Sequence, residues 1–258
     1  MAQDDGELRG QAYFFLGRIM ASAEKRPVRK DSERLRAAEE AFRKVLAMPE
    51  MPPETTRLAL AETLLRLDRA AEARELLNTL LQEPDLTDAG GDRARQLLSS
   101  PRCASEPCLP ALSYVTSDGR HQTSETLRGK VVLLSFWATW CEPCVAALPD
   151  LKRVFSVSEK GPFVMLGINM HDDHAAMDRF IEKNSIRWPQ ISGDASERLI
   201  EAMAVRAIPA EVLFDHEGVL VHSSTGWRSG VGTVLLQEVA SAVHKAKKQA
   251  AATGAPVR

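Results

Sequence analysis

The stretch GKVVLLSFWATWCEPCVAALPDLKRVFS, residues 129–156, joins an apolar run to two closely spaced cysteines. From Val131 to Trp137 the run contains a single polar residue, which predicts a strand buried on both faces of a sheet. After the cysteines, apolar side chains from Val145 to Phe155 recur at the spacing of one helical face. The stretch therefore predicts a strand and a helix with both cysteines at their junction.

The two cysteines, Cys141 and Cys144, begin the predicted helix. Unpaired amide N–H groups and the helix dipole favour negative charge there, which stabilises the thiolate form of Cys141. Cys144 follows one turn later, so the two sulfurs lie on the same side of the helix and can form a disulfide. Pro143 suits a first-turn position that needs no amide donor. This arrangement predicts a reversible dithiol in which Cys141 attacks and Cys144 resolves the mixed disulfide.

A zinc site and an inert disulfide are the alternatives for this pair. A structural zinc site needs two further ligands at comparable spacing, and the other two cysteines, Cys103 and Cys108, have four residues between them. An inert cross-link gains nothing from a position that stabilises a thiolate. Both alternatives stay open, but the pattern favours exchange of electrons with another thiol, and no metal is predicted.

The rest of the second half alternates between strand and helix patterns, as an α/β domain requires. Its segments are a second buried strand in PFVMLGINM (162–170), helices in DHAAMDRFIEKNS (173–185) and SERLIEAMA (196–204), and a hairpin in AEVLFDHEGVLVHSS (210–224). The predicted domain spans residues 112–248 and closes with a helix striped by valine and leucine. We predict a flexible tail over residues 249–258.

The first hundred residues are rich in Ala, Leu, Arg and Glu and lack strand-like alternation. This composition predicts a helical domain over residues 1–100. Residues 55–85 divide into two amphipathic segments joined near Asp68. The small residues Ala61 and Ala73 stand where two helices need to approach closely.

A weaker copy of this helical pattern lies upstream, in YFFLGRIMASA (13–23) and ERLRAAEEAFRKVLAMPE (33–50). Between its two parts is a basic insertion, EKRPVRK (24–30), which we interpret as a solvated loop. The two copies, followed by a short helix in GDRARQLLSS (91–100), resemble a pair of tetratricopeptide repeats, whose concave face would bind a peptide or protein. A generic helical bundle is the alternative. Prolines and serines over residues 101–111 predict the linker between the domains.

Charge and hydropathy exclude several classes of partner. The chain has 33 basic and 35 acidic side chains and a formal net charge of −2. Without a basic block, neither nucleic acid nor an anionic membrane is an expected partner. No run approaches the roughly 18 to 20 apolar residues that span a bilayer. The opening MAQDDGELRG lacks the order of a signal peptide, so we expect either a cytosolic protein or an exported one written from its mature end.

Residues 112–248 resemble the bacterial TlpA/ResA type of thioredoxin-like thiol–disulfide oxidoreductases. The resemblance rests on LRGKVVLLSFWATWCEPC (127–144), on Pro149, and on VRAIPAEVLFDHEG (205–218). It implies a thioredoxin fold in a periplasmic or otherwise extracytoplasmic protein that reduces disulfides of partner proteins. It implies no organic cofactor, because the electrons come from another dithiol protein.

The same resemblance implies roles for residues around the cysteines. Ile208 and Pro209 are expected to form a cis-proline turn that presents the Ile208 backbone to a partner strand, and Trp140 is expected to offer that partner an apolar platform. The chain departs from the pattern at two positions. Ala147 stands where the family has a glutamate, and Ser135 stands where thioredoxin has a buried aspartate.

These departures leave Glu142, inside the motif, as the nearby acid expected from the sequence. Its charge opposes a thiolate at Cys141, which raises the pKa of that thiol and favours the disulfide. Without a buried base, deprotonation of Cys144 is expected to rely on water. A disulfide oxidase or isomerase, and a redox-regulated binding protein, remain alternative functions.

Two smaller motifs, a second pair of cysteines and an HDDH segment, each allow more than one role. Cys103 and Cys108 predict a structural disulfide near the domain junction, with free thiols or a second exchange pair as alternatives. HDDH, residues 171–174, is compatible with a metal site. It is also compatible with an acidic loop in which Asp173 caps the following helix, which we favour.

Overall fold

The computed structural model describes residues 28–48, 53–110, 113–115, 119, 121–157 and 161–253. The chain divides between Glu106 and Pro107 into two compact units. This division falls within the stretch predicted as the linker, residues 101–111.

The first unit is helical throughout its described residues. Its elements are α1 (Val28–Leu46), α2 (Pro53–Arg66), α3 (Ala70–Leu80), α4 (Asp88–Ser99) and a short 3-10 helix (Pro101–Ala104). Ala38, Ala61 and Ala73 are fully buried among these helices, as close packing of two helices requires. Asp68 makes the turn between α2 and α3 with a φ of 61°. The predicted helical domain is confirmed, with its turn where the sequence placed it.

The comparison with tetratricopeptide repeats stays a prediction. The upstream segment at residues 13–23, which would form the first helix of the proposed pair, lies outside the described residues. The basic insertion was predicted as a loop, and this is wrong for its last three residues, because α1 begins at Val28. Arginine and lysine are good helix formers, which is compatible with a helix that starts inside the basic segment.

The second unit is built on a five-stranded mixed sheet. Its elements are a small hairpin of β1 (Ser113–Val115) and β2 (His121–Thr123), a 3-10 helix (Ser124–Leu127), strands β3 (Val131–Trp137), β4 (Phe163–Asn169), β5 (Gln190–Ile191), β6 (Ala210–Phe214) and β7 (Leu220–Thr225), and helices α5 (Glu142–Phe155), α6 (His174–Lys183), α7 (Asp194–Ala202) and α8 (Val231–Thr253). The strand order is β5-β4-β3-β6-β7. Strands β3, β4 and β5 are parallel, and β6 is antiparallel to both β3 and β7.

Strand β3 lies at the centre of this sheet, and all seven of its residues are buried. Successive side chains point to opposite faces. Val131 and Leu133 therefore join the core formed with α5 and α8, whereas Leu134 and Phe136 join a second core on the other face. The predicted buried strand is confirmed, and it carries the chain between two cores to the start of α5.

Two details differ from the sequence analysis. Val145 was placed on the buried face of α5 but is 40% exposed. The buried stripe is centred on Cys144, Leu148 and Leu151, and Val145 falls at its margin. The tail was predicted to begin at residue 249, but α8 continues to Thr253. The run of three alanines after Gln249 extends the helix because alanine has the highest helix propensity.

Candidate active site

The two cysteines of the CEPC motif lie where β3 gives way to α5. Cys141 is the N-cap residue of α5, and its Sγ accepts a hydrogen bond from the amide of Cys144 at 3.3 Å. The two residues form a disulfide with an S–S distance of 2.06 Å and a Cα–Cα distance of 5.3 Å. The sequence thus predicted both the position and the pairing of the sulfurs. Their exchange with a partner stays a prediction.

The disulfide is nearly enclosed, but the surface beside it is apolar and open. Cys141 and Cys144 are 5% and 4% exposed, while Trp140 is 67% exposed and Val145 is 40% exposed. An exposed tryptophan beside a reactive pair is compatible with a surface that another protein covers, because aromatic residues are enriched at protein interfaces. Trp140 is therefore where the resemblance implied an apolar platform, next to the reactive pair.

The predicted proline turn is present. The Ile208–Pro209 peptide bond is cis, and the carbonyl oxygen of Pro209 accepts a hydrogen bond from the amide of Gly226 at 2.7 Å. Ile208 packs against the cluster that contains Cys141 and Cys144. The turn and the cysteine motif thus lie side by side, although they are more than 60 residues apart in the sequence.

The loop before Cys141 is fixed by an aspartate that the sequence analysis did not single out. The carboxylate of Asp172 accepts hydrogen bonds from the Thr139 amide at 2.7 Å, the Thr139 hydroxyl at 2.7 Å and the Asn169 side chain at 2.6 Å. Asp173, in contrast, caps α6 as predicted, by accepting a hydrogen bond from the Ala175 amide. Asp172 thus ties the cysteine loop to the end of β4.

The HDDH motif has no metal-ligand geometry in the part of the chain that the structure describes, where no group of three His, Cys, Asp or Glu side chains converges as metal ligands do. His171 lies 4.0 Å from Glu197 at the surface. Of the two aspartates in the motif, Asp172 binds Thr139 and Asp173 caps α6.

A buried glutamate faces the same region from β6. Glu211 is 1% exposed, and the Ser135 hydroxyl donates a hydrogen bond to its Oε1 at 3.0 Å. Its other oxygen, Oε2, is buried and has no hydrogen-bond partner among the described residues. Burial raises the pKa of Glu211 well above its ordinary value, and the bond from Ser135 opposes this only in part. Glu211 therefore holds its proton at higher pH than an exposed glutamate does.

Glu211 and Cys144 line one small cavity, together with Ser135, Trp137 and Pro209. The cavity has a volume of about 10 Å³, roughly enough for a single water molecule. The sequence left Glu142 as the remaining nearby acid, and this prediction is incomplete, because the buried Glu211 lines a cavity with Cys144. Glu142 is exposed on the first turn of α5, and the buried acid comes from a different strand.

Glu211 stands in a row of residues that runs across all five strands. The strand registers align Gln190, Gly167, Ser135, Glu211 and Ser224 on β5, β4, β3, β6 and β7. We call these five residues the polar row.

At one end of the polar row, the side-chain oxygen of Gln190 accepts a hydrogen bond from the Trp137 indole at 2.8 Å. Its amide nitrogen donates to the carbonyl of Trp188 at 2.8 Å. Ser135 and Glu211, in the middle of the row, line the same cavity as Cys144 and Leu148 of α5.

The sequence did contain a signal for Glu211. It is the single charged residue in the apolar strand AEVLF, where an unpaired charge is costly. Alternation along the strand puts residue 211 on the same face as Leu213, which packs against α5 and α8. The sequence could not show that this face also receives Ser135 and Cys144, because that depends on strand order.

Cys103 and Cys108 are both disulfide-bonded, and none of the four cysteines is a free thiol. Cys103 lies buried in the 3-10 helix, and the Arg93 guanidinium donates to its carbonyl at 2.9 Å. Cys108 forms an isolated β-bridge with Val219. Both cysteines of the predicted second pair are therefore in the disulfide form rather than free thiols.

Comparison with known proteins agrees with this geometry. Residues 106–223 match the AhpC/TSA family. A thiol–disulfide oxidoreductase, ResA, from Geobacillus thermodenitrificans is 29% identical over 118 residues, which cover 45% of this chain and 67% of that protein. ResA from Bacillus subtilis is 27% identical over the same length and is covered to 65%. The chain spans about two thirds of the length of these relatives. For the matched residues, the resemblance to thioredoxin-like oxidoreductases of the ResA type is confirmed.

The fold itself is confirmed by a solved structure. A solution structure of a Bacteroides thetaiotaomicron protein described as a disulfide isomerase superimposes with a TM-score of 0.50 at 22% identity. The superposition covers 56% of this chain and 92% of the Bacteroides thetaiotaomicron protein. The second unit thus has the thioredoxin fold. Among the described helices, none is long and apolar enough to cross a membrane.

Proposed function

We propose that this protein reduces disulfides in partner proteins outside the cytoplasm, by thiol–disulfide exchange at Cys141 and Cys144. The observation that carries the proposal is the Cys141–Cys144 disulfide at the first turn of α5, beside an exposed Trp140. The ResA relatives support the class of reaction, and two disulfides among four cysteines suit an oxidising compartment.

The reaction runs in two steps that balance electrons and protons. The Cys141 thiolate attacks one sulfur of the partner disulfide, and the other partner sulfur leaves as a thiolate that takes up a proton. Cys144 then attacks Cys141, which closes the protein disulfide and releases the second partner thiol. Each turnover oxidises the dithiol and reduces the partner, so another dithiol protein must then reduce the Cys141–Cys144 disulfide.

The surface around the sulfurs supports a protein as substrate. Trp140 and Val145 offer exposed apolar area beside a disulfide that is itself almost covered. Aromatic side chains such as Trp140 are enriched at protein interfaces and often contribute much of the binding free energy. The helical unit is the candidate for further contact with a peptide or protein, as the repeat-like sequence suggests.

Trapping tests the proposal directly. The variant Cys144→Ala leaves Cys141 able to attack and removes the residue that resolves the intermediate. Expressed in the native host, it is expected to accumulate mixed disulfides that mass spectrometry identifies and dithiothreitol releases. The matched control, Cys141→Ala with Cys144→Ala, should trap none. If both variants give the same adducts, Cys141 is not the attacking residue.

Equilibration with glutathione separates a reductase from an oxidase. A reducing couple has a midpoint more negative than about −200 mV, whereas a strong oxidase lies near −120 mV. We expect the more negative value. A midpoint near −120 mV would show that the protein exchanges disulfides but oxidises its partners instead of reducing them.

A further inference from the structure

We propose that Glu211 exchanges a proton with Cys144 through the cavity that the two residues share, so that one buried carboxyl serves both directions of the reaction. This inference rests on the proposed function, because it concerns the step in which Cys144 attacks or leaves. It assigns a role to a buried acid outside the two positions, 135 and 147, at which related proteins carry one.

The geometry isolates Glu211 and Cys144 as a pair. Among the described residues that line the cavity, they are the two with titratable side chains. The elements around them offer apolar or uncharged groups: Leu148 and Leu151 on α5, Phe180 on α6, Pro209, and the Ser135 hydroxyl on β3. The cross-strand neighbour on β7 is Ser224. Among the described residues that line the cavity, no other charged group competes for the proton.

The state of Glu211 matches what the disulfide form requires. One carboxyl oxygen accepts from Ser135, and the other is buried without a partner among the described residues. A buried carboxyl with a free oxygen is far better accommodated as the neutral acid. In the disulfide-bonded protein, Glu211 therefore carries a proton that it can donate when the disulfide opens.

The proton balance closes over one cycle. When a donor thiolate attacks Cys141, the S–S bond breaks, Cys144 leaves as a thiolate, and Glu211 gives it a proton. When Cys144 later attacks the mixed disulfide at Cys141, its S–H proton returns to the Glu211 carboxylate as the new S–S bond forms. The departing partner thiolate takes its proton from solvent. Glu211 ends the cycle as it began.

The test measures the two steps separately with the small disulfide DTNB, which releases one coloured thiolate in each step. Reduced protein is mixed with excess DTNB over a range of pH, with Cys103→Ser and Cys108→Ser present in every sample. The first release reports attack by Cys141, and the second reports attack by Cys144 on the mixed disulfide. The second step is intramolecular, so its rate does not depend on the DTNB concentration.

Glu211→Gln is expected to leave the first release unchanged and to slow the second about tenfold or more at pH 7, since general base catalysis contributes roughly 10²–10⁴-fold. The difference should vanish above about pH 9, where a thiol with an ordinary pKa of about 8.5 ionises without help. The control Glu238→Gln, at an exposed position on α8, should match the wild type throughout. Equal second-step rates in wild type and Glu211→Gln from pH 5 to 9 would overturn the inference.

Ser135→Ala provides a second variant that keeps the carboxyl. Because the Ser135 hydrogen bond favours the ionised form of Glu211, its loss should move the midpoint of the second-step pH profile upward. A purely structural role for Glu211 would change rates without moving that midpoint. Failure of the first release in the wild type would instead count against the proposed function, so the two outcomes are distinguishable.

Discussion

At the scale of single residues, the molecule concentrates its unusual chemistry in one carboxyl group. Glu211 is an acid inside an apolar strand, and among the described residues only one of its carboxyl oxygens has a hydrogen-bond partner. Burial of this group should lower the free energy of unfolding at pH values where the unfolded chain ionises residue 211. Since the pKa of Glu211 is raised in the folded state, folding is favoured at low pH, where the group is protonated in both states.

Glu211→Gln tests this cost through the pH dependence of stability. As the pH rises above about 4.5, the unfolded chain ionises at residue 211 while the folded protein does not. The wild type should then lose up to about 1.4 kcal/mol of unfolding free energy per pH unit relative to Glu211→Gln, until the folded-state pKa is reached. Urea denaturation of the disulfide-bonded proteins between pH 4 and 8 measures this. Two curves that stay parallel would show that Glu211 ionises freely in the fold.

Unlike Glu211, Glu142 is exposed, so its charge acts on Cys141 from the surface. Replacing Glu142 by Gln removes a negative charge next to Cys141 and should favour the thiolate. We expect the midpoint of Cys141 alkylation to move down by about 0.3–1 pH unit, and by less in 1 M salt. Alkylation rates of the reduced protein, with Cys103 and Cys108 replaced by serine, give the midpoint.

The control for this measurement is Glu201→Gln, an exposed glutamate on α7. It should leave the Cys141 midpoint where it is in the wild type. If Glu142→Gln does the same, the charge within the motif does not tune the attacking sulfur.

At the scale of secondary structure elements, the loop between β3 and α5 depends on the end of β4. Asp172 accepts three hydrogen bonds from Thr139 and Asn169. Because bonds to an ionised group contribute more than neutral ones, Asp172→Ala should lower the free energy of unfolding by roughly 1–3 kcal/mol. It should also speed hydrogen exchange at the Thr139 amide.

The matched control is Asp178→Ala on the exposed side of α6, which should stay within about 0.5 kcal/mol of the wild type. Urea denaturation gives both values. If the two substitutions have equal effects, the contact with Thr139 does not stabilise the loop.

The elements also show which parts of the site can be predicted from sequence. The spacing of Cys141 and Cys144 after a continuous apolar strand is a local pattern, and it predicted the strand, the helix and the pairing. The cis bond at Pro209 was implied by resemblance. Glu211 accepts a hydrogen bond from Ser135, 76 residues away in the sequence. Asp172 accepts one from Thr139, 33 residues away. Such neighbours are set by sheet register and loop position, which periodicity alone does not give.

At the scale of the whole molecule, the two units have separate cores. Both large core clusters of the thioredoxin-like unit consist of residues from Leu109 onward, and the helical unit has its own cluster around Phe42 and Leu64. Residues 107–258, with Cys108→Ser, should therefore fold alone and keep both steps of exchange. Circular dichroism and the DTNB assay check this.

The helical unit should then act on the choice of partner rather than on the chemistry. Trapping with Cys144→Ala in residues 107–258 is expected to capture a different set of proteins from the full chain, at an unchanged rate with DTNB. An isolated unit that is unfolded, or that captures the same set, would contradict this division of roles.

The polar row has a consequence for how related chains vary. A methyl group added at Gly167 would meet the side chain of Gln190, and Gln190 would have to release the Trp137 indole. Positions 167 and 190 are thus expected to covary among homologous sequences. In homologues with alanine at position 167, we expect a residue shorter than glutamine at position 190. Frequent occurrence of Ala at 167 together with Gln at 190 would contradict this expectation.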